Sequence, residues 1–504
     1  MIKKILCVAL LLGCLSQPKA QTLQPVKQLL NAPYMKGATF SIVVKDVQDG
    51  KTVYSYDEDR EVSPASVLKT VATATALEIL GDDYRYATSL EHDGSIKEGV
   101  LNGNLYIRGG GDPSLGSSHF APDRNRYTPA QNTFIPEWIA ALKKAGIRKI
   151  TGAVVADERI FDTEGASIKW LREDMGNYYA PGSYGLSVFD NMYKLSLKTG
   201  AAGTRPEVVG TDPAIPSLRF INYLKAAASD SAYIIGAPLS GERYLQGVVP
   251  ANRENYVLKG DIPDPALFLA EYLTGCLERE GIVVGKEPTC YRIESEAGRW
   301  KTVERKPVVT TYSPTLKEIA SVTNHVSHNL FADALVKTVG LQYVPRKNEV
   351  ISSFGRGVQV VLDHWRKKGL DVYPLRMHDG SGLAPRRRKR PACAGGGRAP
   401  ADKVSAEFIA DLLVYMATKS EVSEAFFESL PQVGVEGSVR NLLKGSKLQG
   451  KARLKSGGIT GVRSYAGYID KDGKRYAVAV FSNNYSCSMG QMTKGLEKLL
   501  LQLF

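Results

Sequence analysis

Residues 63–81 read SPASVLKTVATATALEILG. Apolar residues recur at helical spacing through this stretch and Gly81 supplies a stop, so we predict a helix over 66–80. Ser66 and Lys69 then lie three residues apart on one face of the helix, where the lysine amine can reach the serine hydroxyl. The stretch therefore predicts a polar pair at the start of a helix.

A serine and a lysine in this arrangement permit two interpretations. Ser66 can be a nucleophile if Lys69 removes its proton, which requires burial and nearby positive charge to lower the lysine pKa toward neutrality. The backbone amide of Ser66 and the positive end of the helix dipole would then face a developing oxyanion. Alternatively, Ser66 caps the helix and Lys69 is solvated, and on these residues alone the capping interpretation is favoured.

Three short motifs follow one another along the chain: Ser-x-x-Lys at 66–69, Ser-His-Asn at 327–329 and Lys-Ser-Gly at 455–457. Each is weak evidence by itself, because Ser-x-x-Lys also occurs at 16–19 and Ser-x-Asn at 482–484. Their order, the elements that carry them and their local context together give them weight.

In this context the sequence resembles the low-molecular-mass class C penicillin-binding proteins, which are D-alanyl-D-alanine carboxypeptidases and endopeptidases. Besides the three motifs, the resemblance rests on SPAS at 63–66, NLYIRGGGDPSL at 104–115, DGSGL at 379–383 and VEGS at 435–438. It covers nearly the whole chain after the first 20 residues. It implies an α/β (α+β) fold, with a penicillin-binding or serine β-lactamase-like catalytic domain whose antiparallel sheet has helices on both sides.

The resemblance also implies a function. The chain is expected to be a serine-type D-Ala-D-Ala carboxypeptidase, a DD-endopeptidase, or both, acting on peptidoglycan stem peptides through an acyl-enzyme at Ser66. β-Lactam antibiotics are expected to act as covalent inhibitors, and no metal or organic cofactor is implied. Two rival interpretations remain open: a β-lactamase or esterase on the same fold, and a non-catalytic peptidoglycan-binding protein.

Catalytic roles carry over from the resemblance to four residues. Ser66 resembles the acylated nucleophile and Lys69 its general base. Ser327 is similar to the serine that relays a proton toward the leaving amine. Asn329 is similar to the residue that binds the substrate's backbone amide and orients Lys69. The residue between them is His328, where the family usually has aspartate, and a titrating imidazole makes the pH behaviour less predictable.

Substrate binding is implied for five further residues. Lys455 and Ser456 resemble the pair that receives the terminal carboxylate of the substrate, for which a cation and a hydroxyl are suited. Gly457 completes this motif, and Gly458 would offer a second oxyanion amide. Asp174, in the run WLREDM, is expected to bind the free amine of a diamino acid in the stem peptide; the alternative is a surface carboxylate.

The order of elements predicts a split catalytic domain. Strands on either side of Asp49-Gly50 and the helix over 66–80 come first, and helices and strands return after residue 264. Between them, 86–264 has short strands and many turn residues. We therefore predict a catalytic domain of 21–85 and 265–504 and an inserted accessory region of one or two mainly β domains. Residues 315–339 are predicted to form one helix.

The amino terminus predicts export. Residues 1–20 combine a basic start, an apolar run and a short polar end, as in a secretory signal that is cleaved after Ala20. Alternatively, Cys14 is the lipidated residue of a lipoprotein signal, which would give a peripheral membrane anchor. Both favour a periplasmic location. The basic, low-complexity run RRRKRPACAGGGRAP at 386–400 is predicted to be a disordered insertion.

Other functions are less well supported by the sequence. The formal net charge of +13 fits anionic surroundings, but the predicted export argues against nucleic acid as a partner. The six histidines include no His-x-x-x-His pair around a glutamate, so a zinc peptidase is disfavoured. Cys276 and Cys290 are close in sequence and allow either a local disulfide or two buried thiols.

Overall fold

The computed structural model describes residues 24–384 and 401–504. The predicted signal at 1–20, with Cys14, and the basic run at 386–400 lie outside the described residues and stay predictions. In the described part, the helices are Gln24–Leu30 (α1), Leu68–Leu80 (α2), Phe134–Lys144 (α3), Pro265–Arg279 (α4), Tyr291–Glu296 (α5), Leu316–His325 (α6), Asn329–Val339 (α7), Ser353–Lys367 (α8), Ala406–Thr418 (α9), Ser423–Ser429 (α10) and Met489–Leu503 (α11).

The strands are short in the middle of the chain and longer at its two ends. In chain order they are Thr39–Asp46 (β1), Thr52–Tyr56 (β2), Ala87–His92 (β3), Ser95–Lys97 (β4), Val100–Asn102 (β5), Leu105–Arg108 (β6), Lys149–Ile150 (β7), Val154–Asp157 (β8), Met192–Thr199 (β9), Glu207–Asp212 (β10), Arg219–Asn222 (β11), Lys225–Ala227 (β12), Tyr233–Gly236 (β13), Glu242–Gln246 (β14), Val248–Pro250 (β15), Arg253–Asp261 (β16), Val283–Val284 (β17), Thr289–Cys290 (β18), Lys306–Tyr312 (β19), Ala452–Ile459 (β20), Val462–Lys471 (β21) and Lys474–Asn483 (β22).

The two ends of the chain share one five-stranded sheet. Its order is β2-β1-β22-β21-β20 and every neighbouring pair is antiparallel. Alternate residues of a strand point to opposite faces, and β22 shows this directly. Its Ala477, Ala479 and Phe481 join the core formed with α2, α6, α7 and α9, while Val478 and Val480 join the core formed with α1 and α11. The sheet therefore has helices on both sides, as expected.

Residues 86–264, the predicted insertion, contain mainly strands and turns, and strands that follow residue 264 pair with them. Strand β19 pairs with β3, β18 pairs with β8, and the apolar face of α4 packs in the same core as β6, β8 and β9. Strands β17, β18 and β19 are thus hydrogen-bonded to strands of 86–264, and α4 packs in the same core, although 265–312 were predicted to belong to the catalytic domain. An apolar helical pattern does not indicate which of two cores it will join. We propose that the catalytic domain resumes after Tyr312.

Two smaller observations complete the fold. Cys276 and Cys290 are both buried free thiols, so the structure contains no disulfide between them. None of the helices in the described residues is both long and apolar enough to cross a membrane.

Candidate active site

Ser66 lies where the catalytic sheet meets its largest helical core. It occupies a 3-10 turn, Ala65–Val67, that leads directly into α2. Ala65 has a φ of 47°, in the left-handed region that residues other than glycine rarely adopt. Strand β20 passes so close to this turn that a Cβ on Gly457 would lie 2.6 Å from the carbonyl oxygen of Pro64. A glycine at this position is therefore required for the approach of β20 to Ser66.

Lys69 projects from the first turn of α2 toward Ser66. Its Nζ lies 3.0 Å from Ser66 Oγ and 2.6 Å from both Asn329 Oδ1 and the carbonyl oxygen of Ser381. The side chain is fully buried. Burial lowers the pKa of Lys69 to about 8, against the opposing effect of three nearby aspartates. A lysine with such a pKa is partly neutral near physiological pH and can accept a proton.

The three aspartates lie beneath Lys69 and were not predicted as site residues. Asp379 accepts two backbone N–H groups of its own loop and, at 2.7 Å, the indole N–H of Trp170. Asp333 accepts the N–H of Gly380 at 2.8 Å. Burial, together with the charge of Asp379, raises the pKa of Asp333 and of Asp402 well above the usual range. These bonds fix the loop whose carbonyl oxygen contacts Lys69.

The second motif forms a loop between two helices. The prediction of one helix over 315–339 is wrong at its centre, because α6 ends at His325, α7 begins at Asn329, and Ser327 between them has a φ of 62°. Apolar periodicity continues through both helices and hides the break. The break brings Ser327 Oγ to within 3.0 Å of Lys455 Nζ on the opposite side of the cleft.

Asn329 connects Lys69 to the insertion. Its Oδ1 accepts from Lys69, and its Nδ2 donates to the carbonyl oxygen of Tyr179 at 2.6 Å. The Tyr179 hydroxyl in turn donates to Asp174 Oδ1 at 3.0 Å. Burial raises the pKa of Asp174, which is half-buried. The structure thus places the predicted amine-binding carboxylate one side chain away from the second motif.

Lys455 lies on β20, facing the second motif. It is fully buried, and its Nζ contacts Ser327 Oγ at 3.0 Å and the carbonyl oxygen of Ser456 at 2.6 Å. Burial, and then the charges of Lys69 and Arg463, lower the pKa of Lys455 well below its ordinary value. No carboxylate of the described residues forms an ion pair with it. An anion that enters the cleft would supply the missing partner.

The remaining residues of the third motif line the edge of the sheet. Ser456 donates its hydroxyl hydrogen to Ser438 Oγ at 2.9 Å, and Ser438 belongs to the VEGS run. Gly458 is exposed on β20, which is the last strand of its sheet. A terminal strand leaves backbone N–H and C=O groups free to bind an extended peptide.

His328 faces a cavity of about 410 Å³ that also borders Ser327 and Asn329. Its Nε2 lies 3.4 Å from Asp190 Oδ1, and its ring centroid is 5.1 Å from that of His119. Burial lowers the pKa of His119 to about 4. The histidine that departs from the family pattern is therefore surrounded by groups that sequence spacing did not connect with it.

The predicted site residues therefore meet in one cleft. The structure brings together the three motifs and links Asp174 to them through Tyr179. The polar groups that hold them were not predicted from the sequence. These are Tyr179, Asp333, Asp379, Asp402 and Ser438. Two of them lie in the runs DGSGL and VEGS, which supported the resemblance without a predicted role.

Comparisons with known proteins identify the family of the chain. The model of the D-Ala-D-Ala carboxypeptidase 3 (S13) family matches residues 22–500, and the chain belongs to that family. It is accordingly a low-molecular-mass class C penicillin-binding protein and a serine-type D-Ala-D-Ala carboxypeptidase. The family, the fold class and the activity predicted from the sequence are confirmed.

Individual relatives are distant in sequence but similar over most of their length. The chain is 24% identical to the D-alanyl-D-alanine carboxypeptidase of Actinomadura sp. (strain R39) over 476 residues, covering 92% of this chain and 81% of the relative. It is 22% identical to D-alanyl-D-alanine carboxypeptidase DacB of Haemophilus influenzae, covering 90% and 86%. The crystal structure of penicillin binding protein 4 (dacB) from Haemophilus influenzae matches with a TM-score of 0.76 at 20% identity, covering 95% of this chain and 98% of the other, which shows the same fold.

Proposed function

We propose that the chain cleaves the terminal D-alanyl-D-alanine bond of peptidoglycan stem peptides through an ester at Ser66. The observation that carries this proposal is the fully buried Lys69, whose amine lies 3.0 Å from Ser66 Oγ and whose pKa is lowered to about 8. The neutral amine takes the hydroxyl proton as Ser66 Oγ attacks the carbonyl carbon of the penultimate D-alanine. Lys69 is the general base in this step.

Two backbone amides would stabilise the tetrahedral intermediate. The N–H of Ser66 is at the start of the helical segment that includes α2, and Gly458 offers its N–H from the exposed edge of β20. When the intermediate collapses, the C–N bond breaks and the amine of the departing D-alanine needs a proton. Ser327 would relay that proton; its Oγ lies 3.0 Å from Lys455 Nζ, and the residue lines the cavity beside the second motif, which supports this role.

The terminal carboxylate of the substrate would bind beside the third motif. Lys455 lacks a carboxylate partner among the described residues, and the hydroxyl of Ser456 lies next to it along β20. Asn329 would hold the peptide's backbone amide, and Asp174 the amine of a diamino acid at the third position. Water then hydrolyses the ester, with Lys69 accepting its proton, and regenerates Ser66.

A β-lactam would enter the same cleft. Its strained amide takes the place of the D-alanyl-D-alanine bond, and the leaving nitrogen stays attached to the acyl group, so the ester is hydrolysed slowly. A relative of the same fold has been solved with a bound compound of this class, penicillin binding protein 4 (dacB) from Haemophilus influenzae with a novel β-lactam, at a TM-score of 0.71. The predicted signal fits action in the periplasm, where peptidoglycan is found, with anchoring at Cys14 as the alternative.

Intact mass after incubation with excess penicillin tests the nucleophile. We expect one adduct on the wild type, none on Ser66→Ala, and one on the matched control Ser63→Ala, which removes a buried hydroxyl three residues earlier. An intact penicillin with no adduct would support the non-catalytic wall-binding alternative. Rapid hydrolysis of the penicillin would support the β-lactamase alternative.

The natural reaction needs its own assay. Release of D-alanine from a pentapeptide would establish carboxypeptidase activity, and cleavage of a cross-linked peptide dimer would establish endopeptidase activity. Both bonds have the same chemistry, so both activities should disappear in Ser66→Ala.

A further inference from the structure

Two histidines and an aspartate from three distant parts of the chain meet beside the second motif. His119 lies in a 3-10 turn of the insertion, Asp190 precedes β9, and His328 precedes α7. Each offers one ligand atom, and these three atoms all lie within 4.8 Å of one another. Asp190 is only 5% exposed. All three residues line the cavity of about 410 Å³, which gives an ion a route from solvent.

The distance between His328 and Asp190 suits two ligands of one metal ion better than a hydrogen bond. His328 Nε2 and Asp190 Oδ1 are 3.4 Å apart, which is long for a hydrogen bond. Metal–ligand bonds of about 2.0–2.1 Å in a tetrahedral site separate two ligand atoms by roughly 3.3 Å. Furthermore, Asp190 Oδ1 is buried with no hydrogen bond to a described residue, its ion-pair contact is the His328 ring at 3.4 Å, and His328 Nδ1 is also buried without a hydrogen bond. A metal ion would give this buried carboxylate oxygen a stronger partner.

The backbone holds Asp190 in place. Phe189, Asp190 and Asn191 have φ values of 53°, 59° and 48°, three consecutive residues in the left-handed region. The Asn191 side chain fixes this turn by accepting the N–H of Val188 and donating to the carbonyl oxygen of Gly182. Such strain persists where surrounding bonds compensate for it, and it is concentrated at functional sites.

We propose that His119, Asp190 and His328 bind a divalent transition-metal ion of the zinc class. Two imidazoles and one carboxylate are a ligand set that Zn²⁺, Co²⁺ and Ni²⁺ accept, whereas Mg²⁺ and Ca²⁺ prefer oxygen ligands. Arg124 and Lys259 line the same cavity and oppose any cation through space. The site therefore favours metals held by strong bonds to nitrogen over metals held mainly by charge.

A bound ion would affect the second motif by fixing the position of the loop that contains it. His328 is flanked by Ser327 and Asn329, so a metal bond to its ring would tie this loop to the insertion. The resemblance implied no metal, and the spacing of the histidines disfavoured only a zinc peptidase; these three ligands are separated by 71 and 138 residues, so no short motif contains them. This proposal does not depend on the role of Ser66, because metal binding is measured without any substrate.

Binding of Co²⁺ to the untagged, chelator-treated mature chain tests the site. Co²⁺ in a site with nitrogen ligands absorbs visible light, and Zn²⁺ should displace it. We expect one equivalent to bind the wild type. Even residues that only support a ligand change metal affinity by about 10–100-fold, so removal of a ligand in His119→Gln or Asp190→Asn should weaken binding by about 100-fold or more.

The matched control is His364→Gln. His364 Nε2 also lies 3.4 Å from a carboxylate, Glu78, but the third group there is Lys368, and binding should not change. Unfolding temperatures without metal show whether each variant folds. As a second measurement, Zn²⁺ should raise the unfolding temperature of the wild type and of His364→Gln, but not that of His119→Gln. No binding to the wild type, or equal affinity in His119→Gln, would overturn the proposal.

Discussion

The two walls of the active-site cleft each contain a fully buried lysine, and their surroundings differ. On the helical wall, Lys69 lies above Asp333, Asp379 and Asp402, which oppose the effect of burial on its pKa. On the strand wall, Lys455 is surrounded by hydroxyl and carbonyl groups, and the nearest charges that act on it are positive.

This difference separates two kinds of lysine chemistry. Burial alone would lower the pKa of both amines, but the aspartates keep that of Lys69 at about 8, where it can both accept and release a proton. Lys455 has no negative partner among the described residues, so an anionic group of the substrate would be the first to stabilise its charge. One lysine is thus arranged for proton transfer and the other for anion recognition.

The largest effect is expected from removal of the Lys69 amine. Lys69→Met keeps the length of the side chain and removes the base, so acylation by penicillin should slow by about 10²–10⁴-fold, as measured by intact mass against time. Lys337→Met is the matched control, since Lys337 is another buried lysine whose pKa is lowered to about 8, but it contacts carbonyl groups of the insertion. Unfolding temperatures of both variants separate lost catalysis from lost stability. Equal acylation rates for Lys69→Met and wild type would contradict the role of Lys69.

The second-largest effect is expected from removal of the Lys455 amine, which we propose binds the substrate carboxylate. Lys455→Met removes a charge-assisted hydrogen bond to the substrate carboxylate, which is worth about 1.5–3 kcal/mol, or about 10–150-fold in kcat/KM for D-alanine release. The sharper comparison uses a peptide with an amidated terminus. Wild type should prefer the free carboxylate, and Lys455→Met should lose that preference. An unchanged preference would show that the carboxylate binds elsewhere.

A smaller effect should follow from replacing one of the three aspartates beneath Lys69. Asp333→Asn retains the oxygen that accepts the Gly380 N–H but removes a carboxyl group that, in its ionised form, opposes the effect of burial on the pKa of Lys69. The pKa of Lys69 should fall, so the rise of acylation with pH should move to lower pH by at most about one unit. Asp162→Asn, next to Lys337, is the control and should leave the profile in place. A shift to higher pH in Asp333→Asn would be incompatible with the proposed electrostatics.

The smallest effect is expected at Asp174. A partly exposed ion pair contributes about 0.2–1 kcal/mol, so Asp174→Asn should reduce kcat/KM by about 1.5–5-fold for a peptide with a free third-residue amine. The same peptide with that amine acetylated should not distinguish the two proteins. If Asp174→Asn lowers kcat/KM equally for both peptides, Asp174 only supports Asn329 through Tyr179.

Local patterns predicted much of the fold and the residues of the three motifs. The helix after Ser66 and the strands on either side of Asp49-Gly50 could be predicted because each depends on local periodicity and turn residues. The strand β20, which contains Lys455, was not predicted. The break at Ser327 was missed because its left-handed backbone depends on contacts across the cleft. The spacing of apolar residues does not reveal such contacts.

Long-range contacts explain the other misses. Of the aspartates beneath Lys69, Asp333 lies in α7, whereas Asp379 and Asp402 are separated from it and from each other by many residues, and no spacing rule connects them. The same holds for His119, Asp190 and His328. We propose a later end for the insertion than residue 264 because β19 pairs with β3; the ordinary amphipathic pattern of α4 does not indicate which core this helix joins.

The pH dependence of acylation tests the central claim most directly. Protonated Lys69 cannot accept a proton, so the rate constant for adduct formation at Ser66 should rise with pH through an apparent pKa near 8. The measurement is stopped-flow or mass-based acylation by a β-lactam from about pH 6 to about pH 9, with circular dichroism confirming that the fold is unchanged. A rise centred near pH 8 is the predicted result; a rate that is flat or falls across this range would contradict a neutral lysine as the base.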